Sequence, residues 1–516
     1  MTNFVARAFT AAALRDLRLR LPMLGALLLV SGCAQLTPEP LRESTLLTQA
    51  RIDRDSAQRG VEPISGPLSL PQAMARALKY NLDRRSRMME EAIALGQLDL
   101  STFDMLPRLM ASAGYHHRSE NNTTRAVDSV TGAPSLANPF ISSSRDHTLS
   151  DVGATWNLLD FGLSFVSAQQ NANRVLIAAE RRRKASHILL QDVRTAFWRT
   201  ASAQKLRTNI GRSIALAEEA LLDARKAEQE RLRSPIESLR YQRQLLENLR
   251  LLEGIDQELA SAQIELASLV NAPPGSALLV LEPAEQLSES ILEQPIDVLE
   301  TTAIANNADL REQHYNVRVA QAETRKVYFK MFPNLNLNAN LKYDTDKYLV
   351  HNSWTETGAQ LSFNLLNLVS APAQKRLADA GVALADQRRV TMQMAVLAQV
   401  HLARLYYANA LKQFRRADAI WSVDERINQH SANRAQAESQ GKLEQVSNNT
   451  TAILSLLRRY QALALAHAAS SKLQAALGVE PTTERQTGLP LDELSAAIEA
   501  SVRSNGQGAA AAAAKP

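Results

Sequence analysis

Two kinds of hydrophobic pattern alternate along the chain. Long stretches with helical periodicity contain almost no proline or glycine, and short stretches between them alternate apolar and polar residues at every second position. The helical stretches are 69–105, 163–233, 236–271, 296–331, 370–441 and 443–477. The longest holds about 70 residues and would span roughly 100 Å, more than one globular core can bury. The pattern therefore predicts long antiparallel helices that pack against one another along their length.

The alternating stretches predict four β-strands. They cover residues 107–118, 149–159, 333–344 and 356–366. In the third, five polar residues from Asn334 to Lys342 alternate with five apolar or aromatic residues from Leu335 to Tyr343. Apolar-out, polar-in strands of about ten residues are typical of outer-membrane barrels, although a soluble amphipathic sheet remains an alternative. Four strands cannot close a membrane barrel, so several chains must contribute; two chains would supply 8 strands and three would supply 12.

The chain is an internal duplication. A shift of 226 residues aligns Asn81 with Asn307, and a later shift of 207 aligns Asn157 with Asn364. The change of shift indicates a longer loop in the first half. The predicted organisation is a signal peptide at 1–32, an extended lipid-anchored linker at 33–65, a first repeat at 66–290 with a helical hairpin at 163–271, a second repeat at 291–480 with a hairpin at 370–478, and a C-terminal segment at 481–516 that is disordered after about 504.

The N-terminus predicts secretion and lipidation. A basic segment ends at Arg20, and 21–30 is apolar, too short to span a bilayer but suited to a signal-peptide core. Cys33, the only cysteine, ends Val30-Ser31-Gly32-Cys33, which resembles the lipobox of bacterial lipoproteins. Residue 34 is Ala, not the Asp that often retains lipoproteins at the inner membrane. We expect diacylglycerol and an N-acyl chain on Cys33, with no cofactor; the alternative is a chance cysteine near an ordinary cleavage site.

Composition gives no reason to expect a nucleic-acid partner. The formal net charge is +5, but the signal peptide carries much of it, with four arginines against Asp16. The mature chain is therefore near neutrality, whereas binding to a polyanion requires a basic surface. Only 5% of the residues are aromatic, which agrees with long helices rather than an aromatic-rich core.

The duplicated unit resembles the TolC- and OprM-like outer-membrane factors. The residues that carry the resemblance are Ala77-x-x-x-Asn81-x-Asp83 with its partner Ala303-x-x-x-Asn307-x-Asp309, the steps Leu106-Pro107 and Phe332-Pro333, and the segment from Trp156 to Gly162 where strand passes to helix. The resemblance implies an α+β membrane protein: a homotrimer with a 12-stranded β-barrel above a periplasmic α-barrel, in the outer membrane. It also implies a periplasmic adaptor and an inner-membrane pump as partners, in efflux or type I secretion of a cargo that the sequence does not identify.

The hairpin tips depart from that family. Outer-membrane factors commonly place aspartates after the glycine that ends the second long helix, where they close the periplasmic aperture. Here the corresponding positions are neutral, and the nearest carboxylate belongs to Glu444. The predicted aperture residues are Glu444, Ser447, Asn448 and Thr450, and the predicted adaptor-contacting tips are Ser234, Pro235, Gly441 and Lys442. A solvated hairpin tip without a gating role is the alternative.

No catalytic or metal site is expected. The sequence lacks a phosphate-binding glycine loop, a nucleophile elbow and a His-Glu zinc pair on a helix. His116 and His117 are neighbours on a predicted strand and should face opposite sides. The run from Arg181 to Lys184 is interpreted as a solvated helix face, with binding to an adaptor or lipid headgroups as its alternative. A lipid-anchored coiled-coil scaffold or adhesin without a pore is the competing function, but it leaves the strands and the duplication unexplained.

Overall fold

The computed structural model describes most of the chain. The described residues are 40–134, 138–230, 234–273, 275–276, 278–281, 287–436, 442–479 and 488–512. The chain divides into two compact units, residues 1–60 and 61–516. The predicted signal peptide and the lipidation site at Cys33 lie outside the described residues. No helix in the described part of the chain combines the length and apolar character needed to cross a membrane.

The first unit contains a helix where the sequence predicts extended chain. Over residues 40–60 the structure has one helix, α1 (Glu43–Gln58), and none of its residues is buried. The helix itself contains neither glycine nor proline, and the Gln49 side chain donates a hydrogen bond to Asp53 one turn later (2.8 Å). The extended-linker prediction is therefore wrong at α1, because both features favour a helix.

The second unit contains two copies of one arrangement. The first repeat comprises α2 (Leu70–Tyr80), α3 (Leu82–Phe103), β1 (Arg108–His117), β2 (Asn122–Thr124), β3 (Phe140–Ser143), β4 (Asp146–Asn157), α4 (Leu158–Gln229) and α5 (Pro235–Leu269). The second comprises α6 (Ser290–Glu293), α7 (Ile296–Asn306), α8 (Ala308–Phe329), β5 (Asn334–Asp344), β6 (Ser353–Ser362), α9 (Leu365–Gln436) and α10 (Lys442–Leu477). A last helix, α11 (Leu491–Ala512), follows. The expected disorder after about residue 504 is wrong over the described residues, because the alanine run is a strong helix former and extends α11.

An asparagine corner interrupts the helix before each repeat's first long strand. The Asn81 side chain accepts a hydrogen bond from the backbone N–H three residues later, capping α3, and its Nδ2 donates to the Leu269 carbonyl at the end of α5 (3.2 Å). Asn307 caps α8 in the same way and donates to the Ala476 carbonyl at the end of α10 (3.0 Å). The prediction of one continuous helix in each half is therefore wrong. The asparagine ends one helix, starts the next and ties both to the returning hairpin.

The two long helices begin earlier than the sequence predicts. α4 and α9 each contain 72 residues, roughly 110 Å, and start at residues 158 and 365 rather than 163 and 370. Asn157 caps α4 by accepting from the Asp160 N–H (2.9 Å), and Asn364 accepts from the Leu366 N–H (3.1 Å). The predicted start at Ser370, with Pro372 in the first turn, is wrong, because α9 begins five residues earlier and Pro372 lies inside it. The family-like segment from Trp156 to Gly162 thus has a structural role as the capped passage from strand to helix.

The basic run on α4 is an ion-pair junction. Arg182 contacts Glu91 of α3 (2.5 Å), whereas Arg181 and Lys184 contact α8 through Glu312 (2.8 Å) and Asp309 (2.7 Å). The remaining member, Arg183, pairs within α4 and also donates to the backbone of α7. The solvated-face interpretation is therefore wrong for Arg182 and Arg183, which are half-buried, whereas Arg181 and Lys184 remain exposed. Since the partners lie on both repeats, the run fixes α4 between them.

A buried histidine lies beside this junction. His187 is 5% exposed, and burial together with the nearby Arg183 and Arg194 lowers its pKa to about 4. Its imidazole is therefore neutral at neutral pH. The buried ring adds no positive charge beside the guanidinium groups of Arg183 and Arg194.

The C-terminal segment completes the first repeat. The buried side chains of Leu494 and Ile498 of α11 pack in one cluster with α2, including Met74 and Leu78. In the second repeat, Leu287 and Ile291 pack in the same way against the cluster that contains α7. The shift of 207 that relates the repeats also relates these two pairs. The duplication therefore extends beyond the hairpins. Leu494 and Ile498 cover α2 in the first repeat, and Leu287 and Ile291 cover α7 in the second.

Candidate functional site

The four long strands form one antiparallel sheet in the order β1-β4-β5-β6. β4 of the first repeat pairs with β5 of the second, so the sheet joins the repeats. β1 and β6 each pair with one neighbour among the described strands. The short β2 and β3 pair with each other in the longer loop of the first repeat. Both edges of the four-stranded sheet are thus available for further pairing.

The pairing register separates the sheet into two chemically different faces. The polar face is Arg108, Met110, Ser112, Gly114 and His116 of β1, His147, Leu149, Asp151, Gly153, Thr155 and Asn157 of β4, Asn334, Asn336, Asn338, Asn340, Lys342 and Asp344 of β5, and Trp354, Glu356, Gly358, Gln360 and Ser362 of β6. The other face is largely apolar. It comprises Leu109, Ala111, Ala113 and Tyr115 of β1, Thr148, Ser150, Val152, Ala154 and Trp156 of β4, Leu335, Leu337, Ala339, Leu341 and Tyr343 of β5, and Ser353, Thr355, Thr357, Ala359 and Leu361 of β6. Apart from Asp146, which stands opposite His117 at the loop end of the sheet, the apolar face carries no carboxylate, lysine or arginine.

On the two central strands, β4 and β5, the apolar face is the more exposed one. Along β5 the side chains of Leu341 and Tyr343 are 62% and 51% exposed, whereas Asn338 and Lys342 are half-buried. A soluble sheet shows the opposite distribution, with its apolar face against a core. This inverted distribution suits a sheet whose apolar side meets lipid and whose polar side meets water.

Charged side chains on the polar face pair with one another. The Lys342 ammonium lies 2.6 Å from a Glu356 carboxylate oxygen across β5 and β6. Asp151 stands beside Lys342 in the register, and Trp354 lies on its other side. A hollow of about 690 Å³ includes Asp151, Lys342 and Trp354 in its lining. The polar face therefore carries charges of both signs around Lys342.

Two glycines make room for the asparagines of the polar face. A Cβ at Gly153 would overlap the side-chain oxygen of Asn340, and a Cβ at Gly358 would overlap that of Asn338. Each glycine stands directly opposite its asparagine. The amide side chains can lie across the neighbouring strand because glycine leaves that position free.

The loop end of the polar face carries paired imidazoles. The rings of His116 and His147 stack with centroids 5.2 Å apart. His147 Nε2 lies 4.0 Å from Asp344, and His117, as expected, is on the opposite face, where it pairs with Asp146 at 2.6 Å.

A buried carboxylate follows β5 at the same end. Asp346 is 4% exposed and accepts from the backbone N–H groups of Ser144 and Tyr348, each at 3.0 Å. Although burial alone would raise the pKa of Asp346, these N–H groups hold it below its ordinary value. The carboxylate is therefore charged at neutral pH.

The predicted aperture residues differ in exposure. Glu444 is exposed near the start of α10, and Ser447 and Asn448 are half-buried. Thr450 is buried within the protomer, where its hydroxyl donates to the Val446 carbonyl (2.8 Å). A shared role for the four at an aperture stays a prediction.

The neighbouring Asn449 was missed by sequence reasoning. Its Nδ2 donates to the Ser213 hydroxyl on α4 (2.9 Å), so it joins α10 to α4 near the hairpin tips. The polar residues from 447 to 451 were interpreted as a group near the aperture. Nothing in the sequence distinguishes those whose side chains bond to a neighbouring helix from those whose side chains do not.

The predicted tips are partly described. Ser234 is exposed and precedes Pro235, the first residue of α5. Lys442 is the first residue of α10, and Gly441 lies outside the described residues. Contact of these residues with an adaptor stays a prediction.

Solved outer-membrane channels share this fold. The chain is similar to the Campylobacter jejuni CmeC outer membrane channel (10% identity, 90% of this chain and 94% of that chain covered, TM-score 0.63) and to the open state of the Neisseria gonorrhoeae MtrE outer membrane channel (16%, 80% and 89%, 0.61). It is also similar to the outer membrane protein VceC of Vibrio cholerae (13%, 79% and 96%, 0.59). No model of a protein family matches the chain, and no curated protein sequence does. The chain has the fold of the TolC-family outer-membrane channels, which confirms the predicted resemblance at the level of fold.

Proposed function

We propose that this chain forms a channel across the outer membrane that carries solutes from the periplasm to the exterior. The observation that supports it most directly is the inverted sheet, with its apolar face exposed and its charges on the other face. That sheet continues into helices roughly 110 Å long, a length suited to reaching through the periplasm. The polar face would line the lumen, and the loops between strands would face the exterior. The role requires no enzymatic reaction and no cofactor.

The assembled channel is proposed to be a homotrimer. The two edges of the sheet, β1 and β6, would carry unpaired backbone groups into lipid if the chain stayed alone, and the bilayer does not tolerate this. Pairing of β1 with β6 of the next copy satisfies them. Three copies would form a 12-stranded barrel, and a conduit favours this wider lumen over the 8 strands of a dimer.

The partners and the anchor complete the proposal. The tips at Ser234, Pro235, Gly441 and Lys442 would contact a periplasmic adaptor, which connects the channel to an inner-membrane pump. An acylated Cys33 would add a lipid anchor to the hold of the barrel. Loss of a palmitate label from a Cys33→Ser variant, with the barrel still inserted, is the expected sign of that anchor; labelling that persists in the variant contradicts it.

Reconstitution in planar bilayers tests the channel. The protein purified in mild detergent is expected to migrate as a heat-sensitive trimer on gels and to give discrete conductance steps when inserted. A folded monomer with full strand content contradicts the trimer. A folded trimer without conductance contradicts the channel and favours the lipid-anchored scaffold.

Glu444→Gln tests the proposed aperture. Three Glu444 carboxylates around a narrow opening would attract cations, so the variant is expected to lose part of the channel's preference for K⁺ over Cl⁻. The measurement is the reversal potential under a salt gradient. Glu237→Gln is the matched control, because Glu237 is the exposed residue that corresponds to Glu444 in the first repeat. An unchanged reversal potential in Glu444→Gln places Glu444 away from the aperture.

A further inference from the structure

We propose that the stacked pair of His116 and His147 is a proton-operated ion filter at the exterior end of the channel. The proposal rests on the proposed channel, because it requires the polar face to line the lumen. It assigns a role in selectivity to two residues that neither the hairpin tips nor the predicted aperture involves. In acid, the filter would favour anionic solutes over cationic ones.

The register places both imidazoles on the lumen side of the same row. His116 of β1 stands directly opposite His147 of β4, and both share their face with Asp344. The two rings stack with an interplanar angle of 27°. In the proposed trimer, three such pairs would surround the lumen where the strands pass into loops.

Fixed charges of both signs surround the pair. Two carboxylates face His147 from β5 and the turn after it, those of Asp344 and Asp346. Two exposed guanidinium groups, those of Arg118 and Arg145, stand one step beyond the imidazole row, where the Arg118 N–H donates to the Arg145 carbonyl (2.9 Å). The exposed Lys347 follows Asp346 in the turn after β5.

The neighbouring pair of His117 and Asp146 lies on the other face of the sheet. Asp146 accepts from His117 and from the Tyr115 hydroxyl (2.9 Å) on the opposite, apolar side of the sheet. Lys342, the next cation along β5 on the lumen side, already pairs with Glu356. Among the described strand residues, His116 and His147 are therefore the imidazoles that the sheet places on the lumen side at this end.

Protonation of the pair would shift the selectivity toward anions. Histidine is the side chain whose charge ordinarily changes between pH 5 and 8. Each protomer would gain up to two positive charges, and this end of the lumen would become more cationic, which attracts anions and repels cations.

The reversal potential of the trimer in a KCl gradient tests the filter. Between pH 7.5 and 5.5 the wild-type permeability ratio of Cl⁻ to K⁺ is expected to rise on the order of twofold. The double variant His116→Gln, His147→Gln keeps side chains of similar size without a titrating group, and it is expected to lose most of that rise. His117→Gln is the matched control, since it removes the adjacent imidazole on the other face and should retain the wild-type response.

The outcomes separate the filter from the channel. A wild-type reversal potential that does not move with pH, or a double variant that responds as the wild type does, overturns the filter and leaves the channel standing. A folded trimer without conductance overturns the channel and the filter with it. Heat-sensitive trimers on gels establish that each variant has folded before its conductance is compared.

Discussion

Replacing Gly478 with alanine is expected to destabilise the protein by about 3 kcal/mol. Gly478 ends α10 with a φ of +69°, a conformation that is costly for alanine. In addition, a Cβ there would overlap the backbone carbonyl of Asn306 at the end of α7. That carbonyl already accepts a hydrogen bond from Arg183 (2.5 Å), so it cannot move freely away. The strained turn and the overlap add to one another at this position.

The first repeat provides the matched control for Gly478→Ala. Asn271 is the corresponding residue at the end of α5, with a φ of +53°, and the Ala272 N–H bonds back to the Ala267 carbonyl (2.8 Å) as the Val479 N–H bonds to Gln474 (3.1 Å). Because glycine and asparagine both adopt this conformation, Asn271→Gly is expected to change stability by less than about 1 kcal/mol. Thermal loss of helical circular dichroism measures both variants. Equal midpoints for Gly478→Ala and the wild type contradict the proposed overlap.

The double variant Leu494→Ala, Ile498→Ala is expected to loosen α2 while the hairpins stay folded. Both side chains are fully buried against the cluster that holds Met74 and Leu78. Truncation of buried leucine or isoleucine to alanine costs about 2 to 5 kcal/mol, since it leaves a cavity as well as removing apolar contact. Amide hydrogen exchange over α2 is therefore expected to accelerate on the order of a hundredfold, with little change in α9 and α10.

Removal of residues 505–516 is the control for that variant. It shortens α11 but keeps Leu494 and Ile498 in place, so exchange over α2 should match the wild type. If the shortened chain accelerates α2 as much as the double variant does, the last residues of α11 stabilise the repeat rather than the two side chains. If neither change affects α2, the C-terminal segment does not support it.

The sequence predicts the elements that depend on periodicity. The long helices follow from runs without proline or glycine, and the two faces of β5 follow from strict alternation between Asn334 and Tyr343. The corners at Asn81 and Asn307 were missed because no glycine or proline marks them. Their signal was present in the asparagine followed two residues later by an aspartate, a pattern typical of a helix start.

Other features depend on contacts that no local pattern contains. The basic run on α4 has the composition of a solvated surface, and only its partners on α3 and α8 show that it joins the repeats. Thr450 is likewise a polar residue of the kind expected to line a pore, yet it is buried within the protomer. The C-terminal segment is an intermediate case, since the shift of 207 that relates Leu287 to Leu494 is visible in the sequence. That relation was missed because the alanine-rich end of the segment was interpreted as disordered.

The closing contact between the two ends of the second unit affects how the chain can reach its native state. The Lys79 ammonium donates to the Leu489 carbonyl across 410 positions of sequence, and the cluster beneath that contact includes both α2 and α11. Contacts between such distant positions form late, because the intervening chain must first lose much of its freedom. The first repeat therefore cannot finish folding before the segment that forms α11 has been synthesised. A truncated product leaves the Met74 and Leu78 region uncovered, so an incomplete chain differs from a finished one in a way that a chaperone or protease can detect.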